Sequence, residues 1–251
     1  MPVPDRTVAL ILGNLALFRR DPGPLVSRIA QPVLLLLLLQ PLYGLAMDDA
    51  AAGARQLVLG QLILFSLLGM SIVGTAILNE RRWRTFDRLR ATPARALELL
   101  AGKAVPILLF ILAQQAVVLG LGIAVLDLRV ASYPLLVLAD LVWALTVLCL
   151  GAAVAVLVRS FAQLSAVVDI GASVAVGLGG GLVPMTAMPQ WAQAIAPVWP
   201  AYWAMESLRG AVIGDTAAVM TSCAVLGGVG ALAAAAAGIR LAHGWGRETL
   251  L

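Results

Sequence analysis

Two carboxylates, Asp140 and Asp169, stand inside long apolar runs that hold no basic residue. An ionisable side chain in such a place marks substrate, ion or proton handling by default. The pair reads either as a proton relay or as two structural side chains, each bonded to a neighbouring helix or bordering a water-filled groove. Other chemistry is scarce. The one histidine, His243, can build neither a zinc site nor a Ser-His-Asp triad by itself. Gly102-Lys103 is followed by Ala104 and has Leu97 where a phosphate-cradling loop needs glycine. Cys149 and Cys223 both lie in apolar runs and read as packing residues. A catalytic reading therefore finds no nucleophile with a base and no metal-ligand set.

These residues must be positioned by an unusually apolar chain. Of 251 residues, 61% are hydrophobic and 12% charged, against about 25% charged in a soluble domain, and the mean hydropathy is +0.98. An ordinary soluble globule, a disordered chain and a disulfide scaffold are thereby excluded. A helix needs about 20 apolar residues to cross the hydrocarbon core. Six stretches qualify: 29–47, 57–78, 104–126, 134–158, 164–183 and 217–241. None alternates with the period of two that a membrane strand requires. The fold class is all-α, a polytopic membrane protein of six transmembrane helices. The remaining pieces are too short for a separate soluble domain, so residues 1–251 read as one membrane domain.

The net charge of +4 and a pI near 9.7 would suit nucleic acid, but the basic residues sit between the spans. With both termini inside, fourteen Lys/Arg fall on the inner side, and only Arg55, Arg129 and Arg209 fall outside. Because basic residues resist translocation, both termini are expected in the cytoplasm of a multi-pass cell-membrane protein. The lipid bilayer is then a partner and nucleic acid is not. Residues 1–28 lack the short apolar core and cleavage site of a signal peptide. Their apolar stretch ends at Arg19-Arg20-Asp21-Pro22, which suits a helix lying in the inner interface.

Two segments between spans carry more than topology requires. In the cytoplasmic segment 79–103, a helix would place Trp83, Phe86 and Leu89 on one face and Glu80, Arg84, Asp87 and Arg88 on another. Arg81 lies at its start. Thr92-Pro93 reads as an N-cap with proline at the first position of a second helix. A positive loop that merely sets topology has no need of Trp83 and Phe86; a docking surface does. The outer segment 184–216 gathers Met188, Pro189, Trp191, Pro200, Tyr202 and Trp203. An aromatic interfacial belt is one reading. The prolines exclude a continuous span, so a short re-entrant or interfacial helix is expected over 201–212. Glu206 and Arg209, three apart, are placed to pair.

With these motifs in view, the chain resembles the membrane-spanning permease subunits of type-2 ABC exporters, in particular the daunorubicin-resistance-type drug exporter permeases. The resemblance is carried by Glu80-Arg81 through Thr85, Asp87, Leu89 and Thr92-Pro93, then Glu98-Leu99-Leu100 and Gly102-Lys103, and again by Met188-Pro189-Gln190-Trp191, Pro200, Tyr202 and Arg209. Arg84 stands where that family usually has glycine.

The resemblance implies a single transmembrane permease domain whose 79–103 segment is the coupling helix that meets a separate ATP-binding subunit. It implies export of a drug-like or other amphipathic substrate. ATP and Mg would sit on the partner subunit, with no cofactor on this chain and no enzyme activity of its own. A second permease copy or a paralogue would complete the pathway, through contacts of the first and fifth spans. Export of a lipid-linked glycan would use the same architecture. A proton-coupled secondary transporter using Asp140 and Asp169 is the reading from a different class.

Overall fold

The computed structural model describes residues 8, 11–13, 23–47, 49–83 and 96–242, with side chains left aside at 24–25, 80–83, 96–103 and 241–242. Among the described residues all regular structure is helical. Six helices are long and apolar enough to cross a membrane. They are α1 (Gly23–Ala46), α2 (Ala50–Trp83), α3 (Ala96–Val125), α4 (Tyr133–Leu157), α5 (Phe161–Leu178) and α8 (Thr216–Ala242). Between α5 and α8 lie a 3-10 turn (Met185–Ala187), the short α6 (Gln190–Ile195), a second 3-10 turn (Ala196–Val198) and α7 (Pro200–Ile213).

Apolar composition makes these segments helical, because a backbone in lipid must satisfy its own polar groups. Local chemistry sets their ends. Ser132 opens α4, with Pro134 in the first turn, where a missing N–H is harmless. Ser160 caps α5 by accepting from the Gln163 N–H at 3.2 Å, while Gln163 Oε1 accepts from the Arg159 N–H at 2.8 Å. Gly214 closes α7 at φ +85°, a conformation costly for any residue with a Cβ.

Helix α2 is the axis of the bundle. It packs against α1, α3, α4, α5 and α7, and α4 and α7 pack in turn against α8. Trp143, Phe65, Leu59, Ile63 and Leu208 are among the fully buried side chains of the core. By contrast α1 is largely uncovered, with Leu38 72% and Leu45 80% exposed. Much of α5 is uncovered as well.

Two expectations change. The fifth span ends at Leu178 rather than at Val183, because Gly179 caps it and Gly180 turns the chain at φ +80°. The second begins at Ala50, so Arg55 belongs to the early turns of α2 rather than to a connecting loop. The sixth span, expected over 217–241, is continuous as α8, and of its glycines at 227–230 only Gly230 lies close to another helix, where an added Cβ would meet Thr146 at 3.5 Å. The interfacial helix expected within 1–28 falls mostly outside the described residues.

Candidate functional site

One end of the bundle, where α2 begins and α5 ends, is held by a polar network that crosses the chain. Gln56, 4% exposed, donates from Nε2 to the carbonyls of Gly180 at 2.7 Å and Gly181 at 3.1 Å. Its Oε1 accepts from Arg209 Nη2 at 3.2 Å. Arg209 Nη1 pairs with Glu206 at 3.0 Å, as their spacing on one helix face predicts. Tyr43 on α1 donates to the Leu182 carbonyl at 2.8 Å. Gly60 of α2 meets Gly181 so closely that a Cβ there would overlap the Gly181 carbonyl oxygen. Helices α1, α2 and α7 are thus tied to the turn after α5 by hydrogen bonds whose strength rises as water is excluded.

Beside this network lies a half-open cavity of about 210 Å³, lined by Met47, Arg55, Met185, Met205 and Arg209 among others. It is smaller than a site for a whole drug-sized molecule.

A short helix is present where one was expected over 201–212, as α7. It starts at Pro200, and Ala201, Ala204, Met205, Leu208 and Ala211 are buried against the spans, so it is a wedge in the bundle rather than a surface strip. Tyr202 stacks edge-on to Trp203 at 5.2 Å, and Trp203 Nε1 donates to the Pro197 carbonyl at 2.8 Å. Burial lifts the Tyr202 phenol above its usual range, with Glu206 adding to the rise and Arg209 opposing it. Met188 accepts through its carbonyl from Gln193 at 2.8 Å, and Pro189 precedes α6. Trp191 is 64% exposed and belongs to a separate surface. Of the residues singled out in segment 184–216, only Glu206 and Arg209 enter the Gln56 network.

A second polar set lies deeper. Gln61, Gln114 and Gln115 are each at least nineteen-twentieths buried, and the Oε1 of each lacks a hydrogen-bond partner. Asp140 Oδ1 and Trp143 Nε1 are likewise buried and unpartnered, while Gln115 Nε2 donates to Ser66 Oγ at 2.9 Å. Each lies roughly 10–17 Å along its helix from the end that holds Ala50, Val125 and Tyr133. This polar stratum at mid-depth is costly in a membrane interior unless something satisfies it. Asp169 is exposed on α5 and shares no hydrogen bond with Asp140 among the described residues. The glutamines are what sequence reading missed; an uncharged amide inside an apolar run was their only signal.

Glu80, Arg81 and Trp83 fall on the last turn of α2, with side chains outside the described residues. Arg84, Thr85, Phe86, Asp87, Arg88, Leu89, Thr92 and Pro93 lie wholly outside them.

A family model described as ABC-2 type transporter matches residues 6–213, most of the chain. The chain belongs to the ABC-2 type transporter family. It is accordingly a multi-pass membrane protein, a membrane subunit of an ABC-type exporter, in a family whose permease domains are not themselves ATPases and work with an ATP-binding subunit. No curated protein matches it. The matched region takes in residues 79–103, the Gln56 network, the mid-depth glutamines and both aspartates.

Proposed function

We propose that this chain forms the membrane-spanning half of an exporter that moves a drug-like or other amphipathic substrate out of the cell, using ATP hydrolysed on a separate subunit. In this reading both termini are cytoplasmic, the protein sits in the cell membrane, and residues 79–103 receive the ATP-binding subunit. The observation that carries it is the continuity of α2. At 34 residues and 1.5 Å rise it is about 50 Å long, well beyond the ~30 Å hydrocarbon core. Its far end, Trp83, enters the coupling segment, and its near end bears Gln56 and the network to α7. A displacement imposed at one end of such a rod is delivered to the other, where hydrogen bonds hold the outer turn closed. Coupling then needs two arrangements of that network, biased by nucleotide state.

A second copy or a paralogue completes the pathway. Six spans alone leave little room to enclose a pathway, and the uncovered faces of α1 and α5 support their use as contact surfaces. The test is export in inside-out vesicles carrying both subunits, with ATP and a protonophore present. Transport continuing at an undiminished rate is expected. Transport abolished by the protonophore, or driven by a proton gradient without ATP, would transfer the assignment to a proton-coupled carrier using Asp140 and Asp169.

A further inference from the structure

The cavity beside the Gln56 network carries an imbalance of charge. Arg55 lines it from α2 and Arg209 from α7. Arg209 donates to Glu206 at 3.0 Å and to Gln56 at 3.2 Å, and those two bonds leave the other N–H groups of its guanidinium for a further acceptor. Arg55 is half-buried and makes no hydrogen bond or ion pair among the described residues. The described carboxylates at this end of the bundle are engaged elsewhere: Asp49 accepts from the Ala51 N–H, Asp127 pairs with Arg129, Asp215 accepts from the Ala218 N–H, and Glu206 holds Arg209. Glu206 offsets one guanidinium, so one positive charge in the cavity is left without a counter-charge. A planar fork of donors in that state matches a phosphate or a carboxylate.

Position and lining decide which anion fits. The apolar span of α2 runs from Ala50 to Asn79, about 45 Å against a hydrocarbon core of ~30 Å, so its first turns reach the headgroup layer. Arg55, about 8 Å along it from Ala50, stands at that boundary. Met47, Met185 and Met205 line the same cavity, a surface that suits the ester and glycerol carbons beside a phosphate better than a strongly hydrated free ion. Aliphatic side chains lie exposed next to it. Leu42 and Leu45, 60% and 80% exposed, stand near the end of α1 that leads into Met47, and Val183, 45% exposed, precedes Pro184 of the lining. Tyr43 holds that end of α1 to the same turn through the Leu182 carbonyl. At about 210 Å³ and half-open, the cavity has room for a phosphodiester but not for a whole lipid, whose acyl chains would lie along those aliphatic residues.

We propose that this cavity is an anion site for a resident phospholipid, with Arg55 and Arg209 holding the phosphate of a net-anionic headgroup and so bridging α2 to α7. The lipid is a fixed ligand of the protein and not its cargo. Its test titrates the purified full-length protein, in a neutral detergent, with phosphatidylglycerol, phosphatidylcholine and inorganic phosphate, reading binding and the thermal midpoint. Phosphatidylglycerol should bind saturably and raise the midpoint, phosphatidylcholine should bind far more weakly, and inorganic phosphate should leave the midpoint unchanged. Arg55→Gln should weaken phosphatidylglycerol binding by about tenfold or more, as loss of a charge-assisted contact does. Its ligand-free midpoint should match the parent, because Arg55 gives up no internal partner. Arg129→Gln, which removes an 88% exposed cation from the same end, should leave binding unchanged. In the unsubstituted protein, modification of Arg55 by phenylglyoxal, read by peptide mass, should be slowed by phosphatidylglycerol and not by phosphatidylcholine; this arm does not depend on a variant folding. Equal phosphatidylglycerol binding by the Arg55→Gln variant, an equal loss in Arg129→Gln, or no protection of Arg55 would overturn the proposal. Protection by inorganic phosphate equal to that by phosphatidylglycerol would make the occupant a soluble anion, and the lipid assignment would fall. Neither export nor ATP hydrolysis enters these readouts, so such results would leave the exporter reading untouched.

Discussion

Gln56 illustrates how much one amide can hold. It satisfies two carbonyls of the turn after α5 and one N–H of Arg209, all from a buried position on α2. Gln56→Leu keeps the volume and leaves the two carbonyls without this donor, and each orphaned buried group costs about 1–3 kcal/mol where water cannot reach it. The expected result is a fall in the thermal midpoint of the purified protein. Glu206→Gln should lower it far less, because Glu206 and Arg209 are about one-third exposed and such pairs contribute little. Equal losses in the two variants would show that the ion pair, not the amide, holds this end together.

At the scale of elements, the close approach of α2 to the 179–183 turn decides where the fifth span stops. Gly60→Val should destabilise strongly, since its Cβ would overlap the Gly181 carbonyl oxygen and overpacking costs about 1–3 kcal/mol even where side chains can yield. Gly120→Ala on α3, where a Cβ meets nothing within 4 Å, should be neutral or slightly stabilising. A thermal-shift comparison of the two checks the contact; tolerance of valine at position 60 would contradict it. The same contact explains what was legible in the sequence. Six spans could be read directly, since hydropathy over about 20 residues is a property of composition. The third, 104–126, falls within one residue of the helical limit at Val125. The end of the fifth could not be read, because near-neutral Gly179, Gly180 and Gly181 barely interrupt a hydropathy sum while Gly180 takes a positive φ. Arg55 was placed in a loop for the opposite reason: its charge outweighed the helix that carries it. Position along the chain located Glu206 with Arg209, three apart, but not Gln56, whose partners lie more than 120 residues away.

Across the whole molecule, a buried axial helix joins two ends with different tasks. At one end Gln56, Arg209 and the glycine turn tie α2 to α7; at the other α2 carries Glu80, Arg81 and Trp83, the start of the segment proposed to couple. Asp169 and the mid-depth glutamines lie between them. The central claim is that force enters through residues 79–103, and it separates from a topology signal because topology depends only on summed positive charge. Trp83→Ala combined with Phe86→Ala leaves every basic residue of that segment in place. Aromatic anchors usually dominate such docking, so the pair should weaken association with the ATP-binding subunit by about 2–4 kcal/mol, roughly 30- to 1,000-fold. The decisive measurement is recovery of the ATP-binding subunit with the double variant, alongside its insertion and its export rate. The account predicts normal insertion, loss of the subunit and loss of export; a double variant that inserts, retains the subunit and exports at the parental rate would contradict it.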